Sequence, residues 1–257
     1  MKQAFGQAGA SGAGLVLLLA IAWEASVRTG WIAADAWPAP SEVVRLFFEP
    51  RRLTVLLHEA GGSLSRMLQG FLIGSLAGIA TGIVMGISRR AFATLDPSFQ
   101  LLRVIPVPAL VPPAILFLGL DDAMKITIVA FAAFWPVMLN TLHAVRGIDE
   151  ALIETARTFK IPVARRVRAV ILPAAAPLIM AGLRLSAASA LITTIVAEMI
   201  VGAGGIGAYI VLMEQAARMP EVYAAVIVLS VAGYAINRGM LSLERRWLPW
   251  NAALGQA

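Results

Sequence analysis

Six stretches of this chain are apolar and nearly free of charge: Gly12 to Val27, Met67 to Ser88, Val104 to Leu120, Ile126 to Val145, Val170 to Val201 and Val222 to Asn237. A helix needs roughly 20 such residues to cross a hydrocarbon core about 30 Å thick. Met67 to Ser88 is the cleanest, because its 22 residues carry no charge and span about 33 Å at a helical rise. The pattern predicts an all-α integral membrane protein with six transmembrane helices and both termini on one side. The first stretch contains Glu24 and lacks a clean small-residue cleavage site, so it reads as a retained helix and not a cleaved signal.

Composition agrees with a bilayer as the solvent. Of 257 residues, 59% are hydrophobic and 14% charged, where a soluble domain carries about 25% charged residues. If the N-terminus is cytoplasmic, 13 of the 21 Lys and Arg residues fall on inner segments, for a net +8 inside against −1 outside. That bias places both termini in the cytoplasm and accounts for the net +6 without nucleic acid as a partner. The chain has no cysteine, which excludes disulfides and thiolate chemistry.

Two connecting segments carry their own pattern. Trp31 to Arg66 lies outside, and there Ser41 is placed to cap a short interfacial helix with a membrane-facing stripe of Val43, Val44, Leu46 and Phe47. Arg146 to Leu172 lies inside and holds six basic and three acidic residues, the natural place for a soluble partner. Pro162 divides it into two short amphipathic helices expected to lie flat on the membrane, the first ending near Lys160.

Enzyme signatures are missing. His58 and His143 stand apart, without partners at metal-ligand spacing, and no nucleophile elbow or P-loop occurs. Gly202 to Gly207 reads Gly-Ala-Gly-Gly-Ile-Gly, but it follows a spanning helix and not a strand, so it predicts a flexible outer turn or short re-entrant segment. Gly70, Gly74, Gly78, Gly82 and Gly86 recur every four residues and let another helix approach closely, within the bundle or at a subunit interface. Pro106, Pro108, Pro112 and Pro113 predict a broken helix beside a pathway, unless the first two merely sit at the inner interface. Gly182, Ser186, Ser189 and Thr193 share one face, either packing surface or a lining for a polar solute. Arg184 lies about 16 Å beyond Pro173, near mid-bilayer, and should face the bundle. Glu198 is about 21 Å further along, out of reach of Arg184, and either snorkels to the outer surface or serves a gate.

The inner segment resembles the EAA motif of membrane subunits of bacterial ABC importers. Glu154, Thr155 and Ala156 take the first three positions, Lys160 the glycine position, and Val170, Leu172 and Pro173 the closing Ile-x-Leu-Pro. Leu95 to Pro97, Phe134 to Leu142, Ala181 to Arg184, Ala197 to Met199 and Leu243 to Arg246 extend the similarity toward the nitrate, sulfonate and taurine branch. The resemblance implies a type I ABC importer-like permease in a bacterial inner membrane, with no cofactor of its own. Its implied partners are ATPase subunits that bind ATP, a second permease subunit forming a homodimer, and an extracytoplasmic solute-binding protein. It also implies a first helix with its interfacial segment over 1–59, a five-helix transport domain over 60–246 with its coupling loop at 146–172, and a tail at 247–257. The coupling set is then Glu154, Thr155, Ala156, Lys160, Pro162, Leu172 and Pro173, and the pathway candidates are Asn140, Arg184, Ser186, Ser189, Thr193 and Glu198.

Two other readings compete. A self-sufficient secondary transporter would need a coupling-ion site, and the spans offer only Glu24 and Glu198 without an inverted repeat. An intramembrane enzyme would need a catalytic dyad, which is missing.

Overall fold

The computed structural model describes residues 2–31 and 36–249, with side chains from Gly14 onward. Most of the predicted tail and the side chain of Lys2 therefore lie outside the described residues. In chain order the elements are α1 (Lys2–Arg28), α2 (Pro40–Leu46), α3 (Pro50–Ile87), α4 (Arg89–Leu102), a 3-10 turn (Val107–Leu110), α5 (Val111–Leu118), α6 (Asp122–Arg146) and α7 (Glu150–Thr158). Then follow α8 (Val163–Arg166), a π-helical turn (Val167–Ile171), α9 (Leu172–Val201), α10 (Ile206–Gln215) and α11 (Met219–Trp247). All regular structure among the described residues is helical.

Helices α3, α6 and α9 form the centre, with α6 in the middle. Met67 and Phe71 of α3, Val129 and Ala133 of α6, and Ala187 and Ala190 of α9 make one buried cluster. The glycines of α3 all face α6. A Cβ would lie 2.6 Å from Val129 Cβ at Gly70, 2.8 Å from the Phe134 carbonyl oxygen at Gly78, 2.7 Å from Thr141 Cβ at Gly82 and 2.6 Å from Val145 Cβ at Gly86. At Gly74 it would run into the Ala130 carbonyl oxygen. No real Cβ fits at such distances, so backbone meets side chain and backbone directly. On the other side of α6, a Cβ at Gly182 would lie 2.8 Å from Asn140 Cβ.

Among the described residues, four helices are long and apolar enough to cross a membrane: α3, α6, the continuous run Val163–Val201, and α11. The expected crossing from Val104 to Leu120 is not straight. Helix α4 and the segment Val107–Leu118 meet at 88°, and counting that bent pair as a span gives five. Pro106 and Pro108 lack the N–H groups that would carry the α4 ladder onward. The adjoining face of α4, with Phe92, Leu95 and Phe99, packs on Met85, Met138 and Leu142, and the Arg146 guanidinium sits 3.5 Å from the Phe92 ring centroid. Helix α3 also exceeds the expected stretch, because the polar residues from Arg51 to Arg66 continue it for 38 residues, about 57 Å in all.

The short helix α2 differs from expectation in cap and in face. Ala39 is its N-cap, while Ser41 donates its hydroxyl to Glu24 Oε1 at 2.7 Å and its backbone N–H to Glu24 Oε2 at 3.0 Å. Val43 and Leu46 are buried against Leu56, Ile206, Ile210, Ala224 and Ala225 with Phe47 packed beside them, so three of the four stripe residues pack on protein and Val44 alone stays exposed. Glu24 thus ties α1 to α2, beside the clustered rings of Trp23, Trp37 and Tyr223, which meet tilted or edge-on.

Gly78→Leu is expected to lower the melting temperature of the purified protein, because overpacking of this kind costs about 1–3 kcal/mol. Gly61→Ala, where nothing lies within 4 Å, should leave it unchanged or raise it. Differential scanning fluorimetry in detergent checks both.

Candidate functional site

At one end of the bundle α7 projects from the junction of α6 and α9. Asp149 caps it, accepting from the Ala151 N–H at 3.0 Å. Its other end closes with Lys160 at φ +50°, the Lys160 N–H donating to Arg157 O at 2.8 Å and the Ile161 N–H to Ala156 O at 3.0 Å. This is a Schellman closure, whose left-handed position usually falls to glycine. Lys160 therefore adopts the conformation glycine would have, at a cost of about 1–2 kcal/mol. Ala156 is buried and Ile153 packs toward Val145 and Ile171, so the inner face of α7 is fixed to the bundle. Leu152, Phe159 and Val163 remain exposed beside the exposed Glu154, Thr155, Arg157 and Lys160.

The second short helix is not a separate element. Pro162 caps α8, which passes through the π-helical turn into α9, giving one helix of 39 residues. Pro173 has no N–H to offer the Ala169 carbonyl, and the turn widens so that the Leu172 N–H reaches Val167 O. Leu172 is half-buried and Pro173 exposed. The flat helix-turn-helix is replaced by α7 hinged on the start of a spanning helix.

At the opposite end, Glu198 is completely buried and does not snorkel. Its Oε1 pairs with Arg66 Nη1 at 2.9 Å, and its Oε2 accepts from Ser63 Oγ at 2.7 Å and from the Gly207 N–H at 3.1 Å. The Ile206 N–H donates to Ser63 Oγ at 2.9 Å and the Gly205 N–H to Glu59 Oε2 at 2.6 Å. The first N–H groups of α10 thus end on two carboxylates and a hydroxyl, which satisfies the helix start and its positive dipole end. The turn Gly202–Gly205 that makes this return possible has φ of +66°, +65° and +98° at Gly202, Gly204 and Gly205. A Cβ at Gly205 would collide with the Glu198 carboxylate. The glycine run is a tight turn that folds α10 back on α9, anchored on a buried acid.

Arg66 also donates from Nε to Asp122 Oδ1 at 2.5 Å, and the buried Lys125 Nζ donates to the Ala203 carbonyl and, at 3.3 Å, to that of Gly204. The sequence pattern assigned Arg66 and Lys125 only to the outer segments. Their signal was position, since each directly precedes a charge-free stretch.

The other pathway candidates disperse. Ser186 is buried and donates to the Ala133 carbonyl at 2.8 Å, while Asn140 Nδ2 donates to the Pro136 carbonyl at 2.8 Å. Both side chains are thus turned to carbonyl oxygens of α6. Arg184 faces α11 and pairs with Glu244 at 3.3 Å. Thr193 lies along an apolar cavity with Val107, Pro108 and Val111, and Ser189 is half-buried. No group of three or more metal-ligating side chains occurs among the described residues.

The family described as binding-protein-dependent transport system inner membrane component matches residues 70–248. The chain is 36% identical over 228 residues to the putative aliphatic sulfonates transport permease protein SsuC of Bacillus subtilis, covering 89% of this chain and 83% of that one. It is 32% identical over 248 residues to the bicarbonate transport system permease protein CmpB of Synechococcus elongatus, covering 91% and 87%. The fold is similar to a chain of the inward-facing MetNI methionine ABC transporter, with a TM-score of 0.70 at 18% identity over 77% of this chain and 98% of that one.

Removing Glu198 leaves the half-buried Arg66 guanidinium with Asp122 alone and takes the acceptor from the Ser63 hydroxyl and the Gly207 N–H. Glu198→Ala is expected to cost about 3–5 kcal/mol. Glu198→Ala combined with Arg66→Ala should cost less than the sum of the single changes, because the two side chains share one contact. Chemical unfolding of the four proteins of this cycle measures the coupling.

Proposed function

The chain belongs to the family of binding-protein-dependent transport system inner membrane components, and on that premise we propose how it works as a permease subunit. Two copies form the translocation pathway of an ABC importer in the bacterial inner membrane. A separate ATPase binds and hydrolyses ATP, and an extracytoplasmic binding protein delivers a small anion, of the kind represented by an aliphatic sulfonate or bicarbonate. The sulfonate and bicarbonate permeases among its relatives support that solute class.

One observation carries the ATPase-docking reading: α7 holds its inner face against α6 and α9 and leaves Leu152, Phe159 and Val163 exposed among charged residues. An apolar patch rimmed by charge on a short rigid helix fits a groove on a soluble protein. Because α8 runs into α9 without a break in the helix, displacement of α7 moves a spanning helix as a unit. Closing the two ATPases would then rock the paired bundles between inward-open and outward-open states. Glu154, Thr155, Ala156, Lys160, Pro162, Leu172 and Pro173 are the residues of this coupling segment.

Glu154→Lys combined with Phe159→Ala is expected to abolish co-purification of the ATPase while the permease still inserts at normal yield, since both side chains lie outside the packed core. Affinity purification from membranes co-expressing the operon's ATPase checks this. Unchanged ATPase recovery would refute docking at α7. Solute accumulation by the permease alone in liposomes would refute the need for a separate ATPase.

A further inference from the structure

We propose that a cavity of about 420 Å³ at the end of the bundle opposite α7 binds the acidic group of a small anion in transit, which rests on the anion-importer reading above and gives it a site. The cavity lies where the start of α3, the end of α10 and the start of α11 meet, and it is lined by Arg51, Arg52, Tyr209, Met213, Arg218 and Glu221.

A buried acid organises two of the three guanidinium groups. Glu221 is 4% exposed, and its Oε1 pairs with Arg52 Nη1 at 2.8 Å and with Arg218 Nη2 at 2.9 Å. Arg52 also pairs with Glu49 through Nε at 2.7 Å. Arg51 has no acidic partner among the described residues. The lining thus holds three guanidinium groups and one carboxylate, which leaves the cavity wall positive. A positive wall suits a small anion, and guanidinium forks match the oxygens of a sulfonate, carboxylate or bicarbonate.

The backbone also turns to place Arg218. After α10 the Ala217 residue adopts φ +55°, and the Arg218 N–H returns to Met213 O at 2.8 Å. With the Ala217 N–H donating to Glu214 O at 2.9 Å, this is the same Schellman closure as at Lys160. It leaves Arg218 as the N-cap of α11, three residues before Glu221. The inner end of α11 carries another basic cavity, with Arg238, Arg245 and Arg246, but all its lining residues come from one helix. The outer cavity draws on three helices and a buried carboxylate.

The test uses the assembled permease and ATPase in phosphatidylcholine nanodiscs, without binding protein. Methanesulfonate is the probe, and dimethyl sulfone, similar in size but neutral, is the control. Calorimetry should detect binding of methanesulfonate and none of dimethyl sulfone. Arg51→Gln and Arg218→Gln should each weaken methanesulfonate binding by about tenfold or more, while Arg218→Lys recovers part of it and Arg45→Gln, on α2, changes nothing. Equal binding of the neutral analogue, or full binding to both glutamine variants, would overturn the site. Loss of methanesulfonate binding when phosphatidylglycerol replaces phosphatidylcholine would overturn it too, as the cavity would then hold a lipid phosphate. Binding-protein-driven uptake of a sulfonate by wild-type proteoliposomes is measured in parallel. Uptake without cavity-dependent binding defeats this inference alone, whereas cavity-dependent binding without uptake of any small anion defeats the importer reading and leaves the site standing.

Discussion

Helices α3 and α6 approach so closely that no side chain fits between them at Gly70, Gly74, Gly78, Gly82 or Gly86. In a bilayer, apolar side chains gain little by leaving lipid for protein, so helix pairs are held by close packing and by hydrogen bonds. That contact fixes α6, and α6 in turn receives α9 through Gly182 at Asn140 and through the Ser186 hydroxyl at the Ala133 carbonyl. The three helices form a stiff slab whose two ends carry the polar features that matter. At one end α7 is set on the junction of α6 and α9, and at the other the α10 hairpin is set on Glu198.

The two ends are built by different physics. Helix α7 is amphipathic and is secured by the buried Ala156 and by apolar contact through Ile153, so its outward face is free for a partner. The α10 hairpin is secured by charge and by hydrogen bonds deep in protein, where Glu198, Arg66 and Ser63 satisfy one another and the α10 N–H groups. A buried ion pair of this sort is intolerant of losing one member and thus holds a single geometry. Both ends join α9, which makes that helix the physical link between an ATPase-facing surface and a solute-facing one in the proposed importer.

Much of this was legible in the sequence, for reasons of period and composition. A glycine at every fourth residue announces a close contact, and the inner proline announces a break after Lys160. Pattern could not supply the partner of a contact 130 or more residues away. Glu198 read as either a snorkelling acid or a gate residue because Ser63 and Arg66 come from another helix, and only the fold brings them together. The π-helical turn before Pro173 was hidden for a related reason, since a proline in the ladder is compatible with a stop, a kink or a widened turn. Val43 and Leu46 gave an apolar stripe without saying whether lipid or protein would cover it, and the covering residues of α3, α10 and α11 are distant in the chain.

Rigid coupling through α9 is tested most directly by distance measurement between the two copies in the assembled complex. The chain has no cysteine, so a spin label can be placed singly at Glu150 on α7 or at Leu212 on α10, both of which are exposed. Electron–electron double resonance with and without ATP reads both pairs. If α7, α9 and the α10 hairpin move as one body, ATP draws the Glu150 labels together and shifts the Leu212 labels in the same step. A Glu150 distance that changes while the Leu212 distance stays fixed would contradict it.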